Sequence, residues 1–322
     1  MVGRRRLLSG QSKDFDEDEN IEFIKPNTEI SVDQNEIQDR RRRLVRSQFV
    51  TEGNTSSRGS GFIYGADYST IVFKGQNLKN NRGKEGGVIA LRESSFFMEN
   101  SVAEGQSAEN FGGFLSAINS VYNIEISIIE ESRSDHGCVI FAEGKHVDPG
   151  KYEKNKIYRA NIRNNVCESS LMQVINTDLT IDRVYFNDNE QTKLGGTNGI
   201  VAVNSQLDLI KVVVKQSSAT KRDDIKADVG FLSLFEGSTL IADSVTFTKV
   251  SAAKAGAIYS RGPNLITITG SDFTDCVTKL HLGALLDIEG AESVKISSTT
   301  FLKNEGAPVI RVANTNVELD SV

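Results

Sequence analysis

The sequence predicts an all-β protein, a parallel β-helix in which each coil of the chain stacks on the coil before it. Three observations predict this fold: a Gly-led apolar run that recurs, a following element that alternates apolar and polar residues, and spacings that leave no room for long helices. The coils account for residues 58–322 of the 322-residue chain, whereas residues 1–57 have a different, charged composition.

Gly-led runs set the repeat. The last glycines of seven successive runs stand 26, 24, 62, 31, 26 and 27 residues apart. The 62-residue step holds two coils, because a run without glycine lies at Ser169–Met172 and a loop inserted at 146–151 adds length. The period therefore predicts about nine or ten coils. The runs are Gly86–Ile89, Gly112–Leu115, Gly137–Ile140, Gly199–Ala202, Gly230–Ser233, Gly256–Tyr259 and Gly283–Leu286.

The element after each run alternates with a period of two residues, which is the period of a strand. Its Val, Ile, Thr, Phe and Tyr residues suit a pleated surface. Short strands without connecting helices cannot form a βαβ sheet, and the turn dipeptides of hairpins are scarce. Stacked coils about 4.8 Å apart fit instead. Examples of the element are Leu179–Ile181, Leu240–Ile241, Ile266–Ile268 and Val294–Ile296, which precede Phe186, Phe247, Phe273 and Phe301.

A second motif, Phe-x-x-Asn, recurs in the coils. Stacked equivalents of the Phe would fill a narrow core, and stacked equivalents of the Asn would form an amide ladder. Glycine at the start of a run would supply the positive φ of a tight corner. The motif stands at Phe97–Asn100, Phe186–Asn189 and Phe301–Asn304, with variants at Ile162–Asn165 and Phe273–Cys276.

The paired motifs resemble the repeats of the polymorphic outer-membrane protein family, and the whole array resembles the pectin-lyase-like superfamily. The first motif matches fully at three places, and the doubled glycine matches at Gly86–Gly87 and Gly112–Gly113. The resemblance implies a right-handed, single-stranded β-helix. It also implies an extracellular or cell-surface location, and it raises polysaccharide lyase or glycoside hydrolase activity as one function of such folds.

Residues 1–57 carry their charges in blocks, among them 14–19 and Arg40–Arg43. Blocks of charge repel internally and bury little, which predicts a disordered or loosely attached segment. The Arg run is interpreted as a solvated face, with a processing site or an anion-binding patch as alternatives. Two short alternating stretches, Ile21–Ile24 and Glu29–Val32, could add strands to another element.

Charge and hydropathy argue against two classes of partner, nucleic acid and the membrane interior. With 37 basic and 43 acidic side chains the net charge is −6, which argues against a protein that coats nucleic acid. The chain has no apolar run of 18 residues, so we predict no membrane span. Arg4–Leu8 begins like a signal peptide without the apolar stretch that follows in one, so no export signal is visible.

The last residues, Val317–Val322, repeat the pattern of Val294–Thr299. Solenoids end in polar caps, and no cap sequence follows here. We expect the array to continue in a longer protein. End-to-end self-association through an open coil is the alternative.

Outward carboxylates are the candidates for catalysis. Asp182 and Asp243 stand at the same offset before their Phe residues, which places them two coils, or about 10 Å, apart. Asp272 and Asp287 are further outward candidates. Acidic residues are expected on any soluble β-helix, so we predict no catalytic residue and no enzyme activity.

Metal and cofactor sites find little support. His136, His146 and His281 are not spaced as paired ligands, and Asp223–Asp224 lacks the alternating oxygen pattern of a calcium loop. A loosely held Ca²⁺ at the surface is the alternative. No glycine loop of the nucleotide-binding type opens a helix. We therefore predict no metal and no cofactor.

Three cysteines leave one unpaired, which is not a disulfide framework. Cys138 is interpreted as a small core residue, Cys276 takes an Asn position of the repeat, and Cys167–Cys276 would span about four coils, too far for a bond. Asn54–Ser56 is a glycosylation sequon if the protein is exported.

The sequence therefore predicts a non-enzymatic structural or adhesive β-helix that presents loops to other surface proteins or to glycans. The chain has no Trp and few Tyr, which makes poor sugar-stacking surfaces. Exposed Tyr68, Tyr122 and Tyr158 are the remaining stacking candidates, with core packing as the alternative. A polysaccharide lyase or glycoside hydrolase is the second hypothesis.

Overall fold

The structure is a computed structural model that describes residues 50–322, apart from residues 58, 145–154, 193–194, 216–227, 280–283 and 307. Several sequence-based predictions fall outside the described residues: the charged segment up to residue 49, the inserted loop at 146–151, Asp223–Asp224, and the histidines His146 and His281.

The described chain is an all-β parallel solenoid of about nine turns, which confirms the predicted β-helix. Its strands form three parallel sheets of ten strands each, and no helix occurs in the described ranges. Each coil contributes one strand to each sheet, so consecutive neighbours in a sheet are one coil apart in the chain. The right-handed sense of the coil stays a prediction.

Sheet 1 holds the Gly-led runs. Its strands are Ile63–Gly65, Ile89–Arg92, Leu115–Ile118, Ile140–Glu143, Met172–Ile175, Ile200–Val203, Leu232–Phe235, Ala255–Arg261, Ala284–Glu289 and Ile310–Ala313. Met172–Ile175 is the coil without a glycine, as predicted from the 62-residue step. The register shifts at Ala255–Ile258, where the pairing with Ala284–Glu289 is irregular.

Sheet 2 holds the alternating elements that follow the runs. Its strands are Thr70–Lys74, Ser95–Glu99, Val121–Glu125, Asn155–Tyr158, Leu179–Asp182, Gln206–Ile210, Thr239–Asp243, Leu265–Thr269, Ser293–Ser297 and Val317–Asp320.

Sheet 3 completes the coil with shorter strands. They are Val50–Glu52, Asn77–Lys79, Val102–Glu104, Ile128–Glu130, Asn161–Arg163, Tyr185–Asn187, Val213–Lys215, Thr246–Thr248, Asp272–Thr274 and Thr300–Leu302. Short two-stranded ladders lie between sheets 3 and 1: Arg82–Glu85 with Ser107–Phe111, Val166–Cys167 with Glu190–Gln191, and Ser251–Ala252 with Val277–Thr278.

Strand pairing begins ahead of residue 58. Val50–Glu52 pairs in parallel with Asn77–Lys79, and Thr55 bridges Arg82. The solenoid therefore includes residues that the composition had placed with the charged segment.

Alternate side chains of each strand fill the core. In sheet 2, Ile124, Ile157, Ile181, Leu209 and Ala242 occupy one inward row and are all buried. Each large apolar side chain removed from water in this way contributes on the order of 1.5–3 kcal/mol. Because the same row continues through every coil, the core is one continuous column of apolar side chains.

The predicted Phe stack exists in the C-terminal coils. The ring centroids of Phe247 and Phe273 are 4.6 Å apart, and those of Phe273 and Phe301 are 4.9 Å apart. Between Phe186 and Phe247 the inward row of sheet 3 holds Val214. Phe231, which directly precedes the sheet 1 strand Leu232–Phe235, fills the gap, with ring centroids 5.2 Å from Phe186 and 5.7 Å from Phe247.

The placement of Phe97 in that stack is wrong. Phe97 lies in sheet 2, not sheet 3, and it points outward with 36% of its surface exposed. Its neighbour Phe96 is the inward residue. Asn100 accordingly takes a corner with φ 48° and not a position in the inward ladder. Phe97 and Asn100 thus match the motif in sequence, but they occupy a different position in the coil from the other matches.

The amide ladder is present in two groups of coils. Asn165 donates from Nδ2 to Oδ1 of Asn189 at 2.8 Å, and its own Oδ1 accepts from the backbone N–H of Ser132 at 2.8 Å. Nearer the N-terminal end, Asn81 donates to Oε1 of Gln106 at 3.1 Å and accepts from Asn54 at 2.9 Å. The ladder satisfies backbone donors at the buried corner.

Glycine has two roles, and only one of them was predicted. Gly86 and Gly112 have φ of 70° and 60°, as expected of tight corners. At Gly199 and Gly230 no positive φ occurs, so that part of the prediction is wrong. A Cβ on Gly230 would lie 1.9 Å from the carbonyl oxygen of Gly256, so close approach of the next coil excludes a side chain there.

We predict that Asn165→Ala destabilises the fold by about 2–3 kcal/mol, because it leaves buried polar partners of the ladder without hydrogen bonds. Chemical denaturation monitored by circular dichroism gives the value. Asn187→Ala is the matched control, since Asn187 points outward in the next coil and donates to Asp188. The control should change stability by less than about 0.5 kcal/mol. Equal losses for the two variants would contradict a structural ladder.

Candidate interaction surface

The outward rows of sheet 2 carry Asp182 and Asp243, the two candidates weighed for catalysis. Asp182, Ile210 and Asp243 are successive register partners, so the two carboxylates lie two coils apart as predicted. An apolar side chain, Ile210, stands between them. Asp182 also contacts the guanidinium of Arg183, with Nε and Oδ1 at 3.4 Å. A pair separated by an isoleucine lacks the shared polar gap in which two carboxylates act on one bond.

The two other aspartates differ in environment. Asp272 is exposed on sheet 3. Asp287 faces outward from sheet 1 but is buried, and Arg311 of the next coil binds it through two hydrogen bonds of 2.8 and 2.7 Å. The carboxylate holds the pKa of Arg311 above its usual value through hydrogen bonding. This fork geometry fixes the two coils together.

Tyr158, one of the predicted stacking residues, is surrounded by cations. The Nζ of Lys156 lies 4.6 Å from the ring centroid, and the guanidinium carbons of Arg159 and Arg183 lie 5.1 and 5.4 Å from it. Arg183 also donates to the Tyr158 hydroxyl at 2.9 Å. The ring is half-buried at the edge of sheet 2. Sequence reasoning named the tyrosine but not its basic neighbours, because they come from two coils.

The other two tyrosines differ in solvent exposure. Tyr68 is 84% exposed, as predicted. The prediction that Tyr122 is exposed is wrong: it is fully buried in the inward row of sheet 2, and burial raises the pKa of its hydroxyl far above the usual value. The strand parity places Tyr122 inward beside Ile124, which also points into the core.

His136 lies just before the corner at Gly137, as predicted. Its ring stacks on Phe111 with centroids 5.7 Å apart, and its Nδ1 is 3.2 Å from the hydroxyl oxygen of Ser169. In the part of the chain that the structure describes, no group of three or more His, Cys, Asp or Glu residues is placed to hold a metal ion.

Cys138 and Cys167 form a disulfide, with Cα atoms 5.3 Å apart. Cys138 lies in the core as predicted, whereas its pairing with Cys167 was not predicted. The link joins residues 29 apart, about one coil, so stacking brings them together even though the sequence has no recognisable disulfide pattern. Both cysteines are buried.

Cys276 is buried and unpaired. It occupies the predicted Asn position, where its backbone N–H donates to Oδ1 of Asn304 at 2.9 Å. Its thiol lies 3.7 Å from the carbonyl oxygen of Phe247. Burial raises the pKa of the thiol to about 12, so the residue stays protonated and unreactive at neutral pH.

Ion pairs between coils were the least predictable feature. Arg163 donates from Nε to a carboxylate oxygen of Glu130 at 2.8 Å, and both side chains are largely buried on sheet 3. Lys254 forms an ion pair with Asp228 that raises the pKa of the lysine through their hydrogen bond. The residues of each pair stand a coil apart, and only the register brings them together.

Asn54 of the sequon ends the N-terminal amide ladder. Its Nδ2 donates to Oδ1 of Asn81 at 2.9 Å. The same nitrogen also donates to the carbonyl oxygen of Glu52 at 3.4 Å, so a glycan, which replaces one of its two hydrogens, would remove one of these bonds.

No helix among the described residues is long and apolar enough to cross a membrane. No protein-family model matches the chain, and neither a curated protein nor a solved structure matches it.

We predict that Cys276 resists alkylation in the native protein, because its buried thiol has a pKa raised to about 12. Iodoacetamide at pH 8 should leave Cys276 unmodified until denaturant is added, as read by mass spectrometry of its peptide. Raising the pH should increase alkylation of Cys276 only under conditions in which the protein also unfolds, because the folded protein keeps the thiol buried. Rapid labelling at pH 8 under native conditions would contradict the burial.

Proposed function

We propose that the chain is a non-enzymatic structural or adhesive β-solenoid of the cell surface or extracellular matrix. Its coils serve as a rigid scaffold, and its outward rows and loops contact other surface proteins or glycans. The resemblance of its repeats to the polymorphic outer-membrane protein family and to pectin-lyase-like β-helices supports this proposal.

The disulfide between Cys138 and Cys167 carries the proposal. Disulfides form and persist in oxidising compartments and are rare in the cytosol. Here the bridge ties successive coils inside the core, where it is protected from reductants. An exported protein that must stay folded in a harsh medium gains directly from such a link.

A continuous core favours a scaffold role. Three sheets run through all ten strand positions, and outward ion pairs such as Lys74–Glu99 at 3.4 Å and Lys295–Glu318 at 3.3 Å bridge successive coils. Exposed pairs contribute little energy each, roughly 0–1 kcal/mol. They nevertheless keep the outer faces charged and hydrated, which suits display of binding groups on a long surface.

We predict that the bridge is present in protein isolated from its source cells. Mass spectrometry without reduction should recover the Cys138 and Cys167 peptides linked, and surface biotinylation of intact cells should label the chain. Recovery of both thiols free, together with protection from biotin, would overturn the proposed location.

The bridge also gives an in vitro test on the purified protein. Reductant should lower the midpoint of unfolding of the wild type and of Cys276→Ser alike, with a stability loss of about 3.6 kcal/mol for a loop closed by residues 29 apart. The double variant Cys138→Ala, Cys167→Ala should be insensitive to reductant.

The enzyme hypothesis has a separate test. We expect no new reducing ends and no unsaturated products when the protein is incubated with a panel of acidic polysaccharides. Turnover that is lost in Asp182→Asn but kept in Asp272→Asn would establish a hydrolase or lyase and overturn the scaffold proposal. Asp272 is the matched control because it is an exposed aspartate of another sheet.

A further inference from the structure

We propose that the edge between sheets 2 and 3 at Tyr158 binds a sulfated polysaccharide, through a column of basic corner residues on three successive coils. The inference rests on the proposed function, since it names the ligand class of one outward surface. The column consists of Arg159, Arg183 and Lys211, and with Lys156 and Tyr158 it is called the basic edge.

Register places the column. The corner after each sheet 2 strand donates its backbone N–H to the last strand residue of the next coil, at Arg159 to Asp182, Arg183 to Ile210 and Lys211 to Asp243. The three corners therefore stack directly above one another, at a strand spacing of about 4.8 Å. Their side chains leave the solenoid from one straight edge.

The backbone at this edge is of a kind that basic residues rarely adopt. Arg159, Arg183 and Lys211 have φ of 50°, 56° and 52°. The other corners of the column are mostly glycine, asparagine or serine, with one β-branched exception at Ile126: Gly75, Asn100, Ile126, Ser244, Gly270, Ser298 and Ser321. The backbone conformation of the corner therefore does not account for long cationic side chains at three consecutive positions.

The cations of the column form few direct ion pairs. Within the described residues, Asp182 is the one carboxylate in ion-pair contact with any of them, and it pairs with Arg183 at 3.4 Å. Glu125 and Asp243 lie on the strand ends that flank the edge and keep their charge, because their hydrogen bonds come from the neutral donors Asn123, at 3.0 Å, and Ser244, at 2.9 Å. In the part of the chain that the structure describes, neither carboxylate forms an ion pair with a cation of the column.

The Tyr158 ring orders the cations. Lys156, Arg159 and Arg183 all lie within 5.4 Å of its centroid. Contact with an aromatic face attracts a cation and limits its rotamers, so less entropy is lost when a ligand binds. The hydroxyl accepts from Arg183 and fixes the plane of that guanidinium. The basic edge is thus partly assembled before any anion arrives.

A linear array of guanidinium groups fits a linear polyanion with charges at regular intervals. Arg forks bind tetrahedral and planar oxyanions through two hydrogen bonds, and a sulfate ester offers three terminal oxygens to neighbouring forks. The net charge of −6 does not separate the polyanions, because it opposes nucleic acid and a sulfated glycan alike. The surface location proposed above favours the sulfated glycan.

The test compares two double variants of the full chain. Arg159→Asn with Arg183→Asn removes two charges from the basic edge and installs the residue found at Asn100 of the same column. Lys249→Asn with Lys303→Asn removes two charges at exposed corners of another edge, where φ is 56° and 53°. Because Asn suits this backbone, both variants should fold, and circular dichroism checks that they do.

Titration calorimetry at low salt with a heparin-type sulfated oligosaccharide measures the binding. We expect the wild type to bind, the basic-edge variant to bind at least about tenfold more weakly, and the control to stay within about twofold. Added salt should weaken the wild type more steeply than the basic-edge variant.

Three results would overturn the inference. These are no binding by the wild type, equal losses in the two variants, and preference for a polyuronate or single-stranded DNA of equal charge over the sulfated probe. None of them touches the proposed function, which the disulfide and surface-labelling experiments decide independently. A surface-exposed, disulfide-linked protein that ignores sulfated glycans would keep the scaffold proposal and lose only this ligand.

Discussion

Stacking of each coil on its own equivalent is the constraint on which the rest of the structure depends. At about 4.8 Å between coils, every inward side chain must fit the side chains directly above and below it. This requirement explains the stacked rings of Phe273 and Phe301 and the amide chain through Asn165. It also explains Gly230, where the carbonyl of Gly256 leaves no space for a Cβ. The spacing between successive coils therefore determines side-chain packing, hydrogen bonding and backbone conformation.

The corners are where this constraint meets the solvent. A closed coil needs residues with positive φ at its edges, and 23 non-glycine residues in the described part of the chain take that conformation. Inside the corner the backbone donors are satisfied by ladder side chains, as Ser132 is by Asn165. On the solvent side of the corner the identity of the side chain can vary. The backbone conformation of a corner column is therefore fixed, whereas its side chains are not. The basic edge uses that freedom.

The sequence could predict what repeats and little else. Period, strand parity and the position of the coil without glycine at Met172 follow from the spacing alone. Phe97 was misplaced because a motif of two letters does not say which of two adjacent aromatic residues points inward. The disulfide between Cys138 and Cys167 was missed for another reason: it depends on register between coils, which inserted residues shift by amounts that the sequence does not reveal. The burial of Tyr122 does follow from strand parity, because Tyr122 alternates with Ile124 on the inward face of its strand.

The same reasoning says where function can reside in such a molecule. An inward position is constrained by two neighbouring coils, so a residue placed there for binding would cost the core its fit. An outward position is less constrained, although ion pairs such as Asp287 with Arg311 join some outward residues of successive coils, and equivalent residues form straight rows. Ligands of a β-solenoid are therefore best matched when they are themselves linear and periodic. Arg159 and Arg183 form such a row, because they occupy equivalent corners of consecutive coils. Both guanidinium groups contact the ring of Tyr158, which limits their positions.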